Sequence, residues 1–116
     1  MARKLDIRQA SAEKGVTILH LKGVIDAHTY HQLSTLIEDL FEADTYKIVL
    51  DLEEIDYMSS SGVSVILGSL PKAQENKGDI VLLNPTEKVD QVFQLFGLHD
   101  MLKITLTKRA ALDSFK

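Results

Sequence analysis

The sequence contains no cysteine and no tryptophan, and only two of its 116 residues are proline. Without cysteine the fold cannot depend on disulfide bonds, which is typical of a reducing compartment. Residues 1–6 carry charge but lack the apolar stretch and the small-residue cleavage site of an export signal. No apolar run approaches the length that a bilayer requires. We therefore expect a cytoplasmic protein without direct membrane insertion.

Positive charge is also scarce. The chain has 13 lysines and arginines against 17 aspartates and glutamates, which gives a net charge of -4 and a pI near 5.5. The basic residues are scattered along the sequence and form no stripe. Because nucleic-acid binding depends on clustered positive charge, we expect no DNA or RNA partner.

The remaining composition is that of an ordinary globular domain. Hydrophobic residues make up 45% of the chain and charged residues 26%, close to the averages for soluble proteins. A chain of this length can bury one core without disulfides or metals. We predict one domain over residues 1–116, with a core over about residues 4–108 and a short C-terminal helix or tail after it.

Strand-like and helix-like segments alternate along the chain. Residues 5–8 and 16–22 alternate apolar and polar side chains and predict an antiparallel hairpin, with Gly23 breaking the second strand and Asp26 capping the first helix. Further strands are predicted at residues 47–52, 55–58, 80–83 and 104–106, and helices at residues 30–41, 60–76, 89–96 and 108–115. Helical crossovers make adjacent strands parallel. The fold class is therefore α/β, a mixed four- to five-stranded sheet packed with helices.

Two helix positions need comment. Pro71 lies inside the second predicted helix, so this helix either kinks there or ends near Leu70 and resumes through residue 76. Residues 95–98 are predicted to belong to the core and to the end of the third helix, which Gly97 terminates.

Three consecutive serines join a strand-like segment to an apolar helical run. Ser59, Ser60 and Ser61 precede Gly62 and place hydroxyls where a helix begins. A phosphate attached there would meet exposed backbone N–H groups and the positive end of the helix dipole. The cluster is therefore a candidate modification site. The same serines could also serve only as an N-cap with its turn residues, and the residues alone leave both interpretations open.

Signals for catalysis or metal binding are weak. Residues 62–66 lack the second glycine of a nucleophile elbow, and the chain is far shorter than the hydrolases that use one. No glycine-rich phosphate loop is present. His28 and His31 lie three residues apart, but no further ligand completes a metal site, so we interpret them as surface residues. We expect neither an enzyme nor a cofactor.

Four segments, in this order and spacing, resemble the STAS domain family and, within it, the bacterial anti-sigma factor antagonists. They are residues 21–26, similar to the family's Gly-Glu-Leu/Ile-Asp element; residues 48–52, similar to its central strand; residues 55–67, similar to its Asp-Ser-Ser-Gly-Leu phosphorylation loop and helix; and residues 80–85 with 89–98, similar to its closing strand and helix. The sequence departs from the family at Ser59, where aspartate is common, and at Val24, where glutamate is frequent.

The resemblance implies a partner switch. The unmodified antagonist binds an anti-sigma factor that is also a serine kinase and so frees the sigma factor, and phosphorylation cancels this binding. Alignment on Gly62 makes Ser60 the phosphoacceptor, with Ser59 as the runner-up, and a PP2C-type phosphatase is the implied partner for reversal. The implied partner-binding residues are Asp26, Tyr57, Met58, Ser59, Ser61 and Gly62.

One alternative lies within the same fold. A STAS module can also be a scaffold of a stress-sensing assembly or an accessory subunit of a membrane transporter, acting on no sigma factor. The loop serines are compatible with either role. Whether Ser60 accepts phosphate distinguishes both from a purely structural module.

Overall fold

The computed structural model describes residues 4–115; residues 1–3 and 116, which the sequence assigns to the same domain, lie outside this range. Strands and α-helices alternate after an initial hairpin. They are β1 (Leu5–Ser11), β2 (Thr17–Ile25), α1 (Tyr30–Glu42), β3 (Lys47–Met58), α2 (Ser60–Glu75), β4 (Asp79–Leu83), α3 (Glu87–Leu95), β5 (Lys103–Thr105) and α4 (Lys108–Asp113).

The strands form one five-stranded sheet in their order along the chain. β1 is antiparallel to β2, and every other neighbouring pair is parallel. The predicted mixed sheet is therefore confirmed. Because α1, α2 and α3 each return the chain to the same end of the sheet, the carboxyl ends of β2, β3, β4 and β5 meet at one edge.

Helices cover the two faces of the sheet unequally. The main core lies between the sheet and α1, α2 and α3, and contains Ile37, Leu50, Ile66 and Phe93. On the opposite face, Ala111, Leu112 and Phe115 pack against Ile18, Val49 and Val81 of the sheet. The packed part of the domain thus extends past residue 108, where the sequence placed its limit.

Gly23 lies inside β2, and the prediction that it breaks the strand is wrong. β2 continues to Ile25, with an irregularity in its register against β3 just after Gly23. Gly23 has a φ of 113°, and a Cβ at this position would overlap the carbonyl oxygen of Lys4. Only glycine tolerates both conditions, so it marks a bulge within a continuing strand.

Two predicted interruptions are absent. The segments at residues 47–52 and 55–58 belong to one strand, β3. α2 likewise runs through Pro71 to Glu75 without ending near Leu70. Pro71 lies on the exposed face of α2, so its ring projects into solvent and displaces no core side chain.

α3 ends at the predicted glycine but has a different exposed surface from the one predicted. The Thr86 hydroxyl accepts a hydrogen bond from the backbone N–H of Val89 at 3.4 Å, and Gly97, at a φ of 66°, follows the end of the helix. Leu95 and Phe96 are 82% and 50% exposed. Their assignment to the core is therefore wrong, because local periodicity cannot show which side of a short helix the sheet will cover.

Candidate functional site

Ser59 is built into the junction between β3 and α2. It is the N-cap of α2, and its side-chain Oγ accepts a hydrogen bond from the backbone N–H of Ser61 at 3.2 Å. Its own backbone N–H donates to the carbonyl oxygen of Ile25 at 2.9 Å, at the end of β2. Ser59 therefore satisfies one of the free N–H groups of the helix and ties the junction to the sheet.

Ser60 is the first residue of α2 and is exposed. Its side chain makes no hydrogen bond with any residue from 4 to 115. No acidic residue lies in the first turn of this helix. The Ser60 hydroxyl is thus accessible at a helix end where the backbone favours negative charge.

Gly62 brings the start of α2 close to the sheet. A Cβ at this position would lie 2.7 Å from Cγ2 of Ile25 and 2.8 Å from Cγ of Met58. These distances are shorter than carbon atoms tolerate, so the close approach requires glycine. The position of the serines above the sheet depends on this contact.

Asp26 forms a turn after β2 and is not the N-cap of α1. Its Oδ1 accepts a hydrogen bond from the backbone N–H of His28 at 2.9 Å, and its backbone N–H donates to the Thr29 hydroxyl at 3.0 Å. Thr29 occupies the N-cap position and donates its hydroxyl to the Val24 carbonyl at 2.8 Å. The capping prediction for Asp26 is wrong, because Asp26 closes the preceding turn and α1 begins only at Tyr30.

The two loops meet in a shallow depression at the edge of the sheet. It is lined by Asp26, Ala27, His28, Tyr57, Ser59, Ser60 and Ser61. Five of the seven residues named from the sequence as phosphoacceptor or partner-binding are among them. Tyr57 is 47% exposed and offers an aromatic surface beside the serines.

Two of the predicted partner-binding residues are buried in this structure. Met58 is 1% exposed, and Gly62 is also buried. Both support the site from beneath, because Gly62 packs against Met58 and Ile25. Asp26, at 6% exposed, presents only a small surface to the depression.

His28 is a site residue that sequence reasoning missed. It is exposed, as predicted, yet it lines the depression with Ser60. Its place in the loop after β2 was the available signal, since loops that follow neighbouring parallel strands meet at one edge. Among the lining residues that the structure describes, His28 is the only one that can carry positive charge.

The histidine–carboxylate pairs lie elsewhere. Nδ1 of His20 is 2.8 Å from Oδ2 of Asp51, and Nε2 of His99 is 3.1 Å from Oδ1 of Asp90. Neither pair lines the depression. His28 and Ser60 line the same depression, but no hydrogen bond joins a serine hydroxyl to a histidine ring within residues 4–115.

The described part of the chain offers neither a cluster of metal ligands nor a membrane-spanning helix. It holds no group of three or more histidine, aspartate or glutamate side chains placed to bind a metal ion. From residue 4 to residue 115, no helix has the combined length and hydropathy of a membrane span.

Comparisons with known proteins agree on the family. The sequence model of the STAS domain matches residues 8–111. The anti-sigma F factor antagonist of Lysinibacillus sphaericus is 31% identical over 97 residues, which cover 83% of this chain and 82% of the relative. The anti-sigma-B factor antagonist of Staphylococcus aureus (strain NCTC 8325 / PS 47) is 24% identical over 82 residues, covering 71% of this chain and 76% of the relative.

Solved structures show the same fold. The anti-sigma factor antagonist SpoIIAA in its unphosphorylated form superposes with a TM-score of 0.79 at 26% identity, covering 94% of this chain and 95% of that one. The phosphorylated form of the Bacillus protein superposes with a TM-score of 0.72 at 26% identity, covering 94% and 98%. A structure of that relative in each phosphorylation state thus matches nearly the whole of this chain.

Proposed function

The chain belongs to the STAS domain family, and we propose that it is an anti-sigma factor antagonist controlled by phosphorylation of Ser60. In its unmodified form it binds an anti-sigma factor that is also a serine kinase and thereby frees the sigma factor. Phosphorylation of Ser60 blocks this binding, and a PP2C-type phosphatase restores it. The site of action is the bacterial cytoplasm, where sigma factors direct transcription.

The accessibility of Ser60 is the observation that carries the proposal. Its hydroxyl is exposed and unbonded among residues 4–115, whereas the hydroxyl of Ser59 is engaged as the helix cap. A kinase needs a free hydroxyl at the surface. Of the two candidates, Ser60 meets this requirement better, and Ser59 is better suited to holding the loop in shape.

The fold tolerates a phosphate at Ser60. A phosphoserine adds a charge of about -1.5 to -2 at neutral pH. Next to the N-terminus of α2, a helix of 16 residues, this charge interacts favourably with the helix dipole. Phosphorylation therefore leaves the stability of the domain nearly unchanged.

A bound partner does not tolerate the same phosphate. Docking over the depression would remove water from the phosphate, and none of the described residues that line this surface is a lysine or an arginine that could compensate. A differential free energy of about 3 to 5 kcal/mol is enough to switch a complex from mostly bound to mostly free. A desolvated dianion supplies a penalty of this size.

The chain acts here as substrate and binder, not as catalyst. It contributes the Ser60 hydroxyl, and the kinase contributes ATP and the catalytic groups. The oxygen of Ser60 takes up the γ-phosphoryl group, its proton is released, and ADP leaves.

Intact-mass analysis with an anti-sigma factor kinase from the same organism and ATP tests the assignment. We expect the wild-type chain to gain one phosphate and Ser60→Ala to gain none. Ser64→Ala is the matched control, because Ser64 is also exposed and lies one turn further along α2. Full modification of Ser60→Ala would show that the acceptor is another residue, and a wild-type chain that stays unmodified would refute the switch.

A further inference from the structure

The outer side of β1 is an open edge of the sheet. Within residues 4–115, β1 pairs with β2 on one side only, and its residues after Ile7 are exposed. The opposite edge, β5, has only three residues. An edge strand of seven residues can present outward N–H and C=O groups to which another strand can pair.

The hydrogen bonds at the two ends of β1 show which residues face outward. The carbonyl oxygen of Lys4 accepts a bond from the N–H of Val24 at 2.9 Å, and the N–H of Ala12 donates to the carbonyl of Val16 at 2.8 Å. No irregularity interrupts the register between them. In an antiparallel strand, residues whose backbone groups bond to the neighbouring strand alternate with residues whose backbone groups point the other way. Lys4 and Ala12 bond to β2, so the even-numbered residues between them also bond to β2, and the odd-numbered residues direct their backbone groups outward.

Leu5, Ile7 and Gln9 therefore direct their backbone N–H and C=O groups away from the sheet. One side-chain contact agrees with this phase: the amide nitrogen of Gln32, from α1, donates to the carbonyl oxygen of Leu5 at 3.3 Å. The groups of Ile7 and Gln9 have no backbone partner among the described residues. They can accept a second strand without breaking any bond to β2.

We propose that this edge pairs with the β1 strand of a second copy of the chain, antiparallel and centred on Ile7. In this register the backbone N–H and C=O of Ile7 bond to the C=O and N–H of Ile7 in the second copy, and Leu5 lies opposite Gln9 of the second copy. Asp6 of each copy then lies opposite Arg8 of the other, so the two-fold axis generates two equivalent charge pairs. The joined sheet has ten strands.

Charge complementarity selects this register over its neighbours. Neither Asp6 nor Arg8 has an ion-pair partner within residues 4–115. Outward-facing residues of one copy must pair with outward-facing residues of the other. Under this condition, three two-fold registers pair at least five residues of β1 from each copy, and they are centred on Ile7, Arg8 and Gln9. The one centred on Arg8 opposes two like charges, and the one centred on Gln9 opposes Arg8 to Ala10. Only the register centred on Ile7 opposes opposite charges.

The complementarity continues across the joined sheet. Within one copy, Asp6 lies beside Lys22, whose Nζ is 3.9 Å from the carboxylate of Glu54. Arg8 lies beside His20 on the same face. Pairing at Ile7 places Asp6 of one copy beside Arg8 of the other. Acidic and basic side chains then alternate across the joined sheet, in the order Glu54, Lys22 and Asp6 of one copy and Arg8 of the other. A row of this kind would be interrupted by any one-residue slip.

The interface is small, and it leaves the serine site free. Five paired residues bury less area than stable dimers do, so the association is weak and weakens further with salt. Across the two-fold axis the β2 strands run in opposite directions. The two Ser60 sites thus lie at opposite ends of the joined sheet, and dimerisation does not depend on the proposed function.

Sedimentation at rising protein concentration tests the charge pairs. We expect Asp6→Arg and Arg8→Asp each to weaken self-association at least about fivefold, because each opposes like charges. The double variant restores the complementarity and should recover wild-type association. Circular dichroism verifies that each variant is folded.

Single cysteines test the register, since the natural chain has none. Paired Ile7→Cys residues would have Cα atoms about 5.5 Å apart, within disulfide range. The Cα atoms of paired Gln9→Cys residues would lie about 14 Å apart. In a glutathione buffer Ile7→Cys should form the cross-linked dimer several times more than Gln9→Cys does. A monomer at millimolar concentration, equal cross-linking, or no recovery in the charge-swapped double variant would overturn the proposal.

Discussion

Two adjacent serines have different roles at the site. Ser59 holds the helix end through its hydrogen bond to the Ser61 N–H, and Ser60 presents a free hydroxyl. The sequence placed both at a helix start but could not assign the cap, because any of the three serines can cap a helix. The extended backbone of Ser59, with a ψ of 177°, identifies Ser59 as the N-cap.

Ser59→Ala removes this cap and should lower the free energy of unfolding by about 1 kcal/mol. Ser59→Asp restores an acceptor and adds a negative charge at the helix N-terminus, so it should be at least as stable as the wild type. Urea unfolding measures both. An unchanged free energy of unfolding in Ser59→Ala would show that the cap contributes nothing.

Gly62 and Gly68 lie on the same helix in opposite surroundings. A Cβ at position 62 would press on Ile25 and Met58, whereas one at position 68 would meet no atom within 4 Å. We expect Gly62→Ala to lower the free energy of unfolding by about 1 to 3 kcal/mol, because overpacking outweighs the better helix propensity. Gly68→Ala should raise it by up to about 1 kcal/mol.

Chemical unfolding of the two glycine variants gives a direct comparison. If Gly62→Ala were as stable as Gly68→Ala, the close approach of α2 to the sheet would not be the reason for glycine at position 62.

At the scale of elements, α4 is held by more than its own propensity. The guanidinium of Arg109 donates two bonds to the carboxylate of Glu13, at 2.8 and 2.7 Å, in the turn between β1 and β2. This contact lowers the pKa of Glu13, chiefly through the hydrogen bond from Arg109. This ion pair therefore links α4, a helix of six residues, to the turn between β1 and β2.

Glu13→Gln should destabilise the protein at neutral pH, and the difference from wild type should shrink in acid. A carboxyl with a lowered folded pKa stabilises the fold above its unfolded pKa, near 4.5, and this contribution is lost as the pH falls through the folded value. Urea midpoints at pH 7 and pH 3 measure the change. Glu38→Gln is the control, since Glu38 is exposed and has no ion pair among the described residues. A difference that does not vary with pH would contradict the assignment.

The errors of the sequence-based prediction occurred where long-range contacts decide. The alternation of strands and helices was recognised because it is local. The burial of Leu112 and Phe115 was not, because these residues pack on strands far away in the sequence. The sequence alone predicts a strand end at Gly23, because a glycine in a bulge and a glycine that ends a strand have the same sequence signal until the neighbouring strand is known.

At the scale of the molecule, the parallel sheet explains why the site exists where it does. The loops after β2 and β3 meet at one edge because both strands end there. This geometry brings His28 and Tyr57 beside Ser60 from separate parts of the chain. If Ser60 is phosphorylated as proposed, the phosphate changes the surface that a partner meets and leaves the core beneath it in place.

The affinity of the anti-sigma factor for the unmodified and the Ser60-phosphorylated chain, measured by titration calorimetry, tests this account most directly. We expect phosphorylation to weaken binding by about 100-fold or more, as a differential free energy of about 3 kcal/mol requires. Equal affinity for the two forms would contradict it.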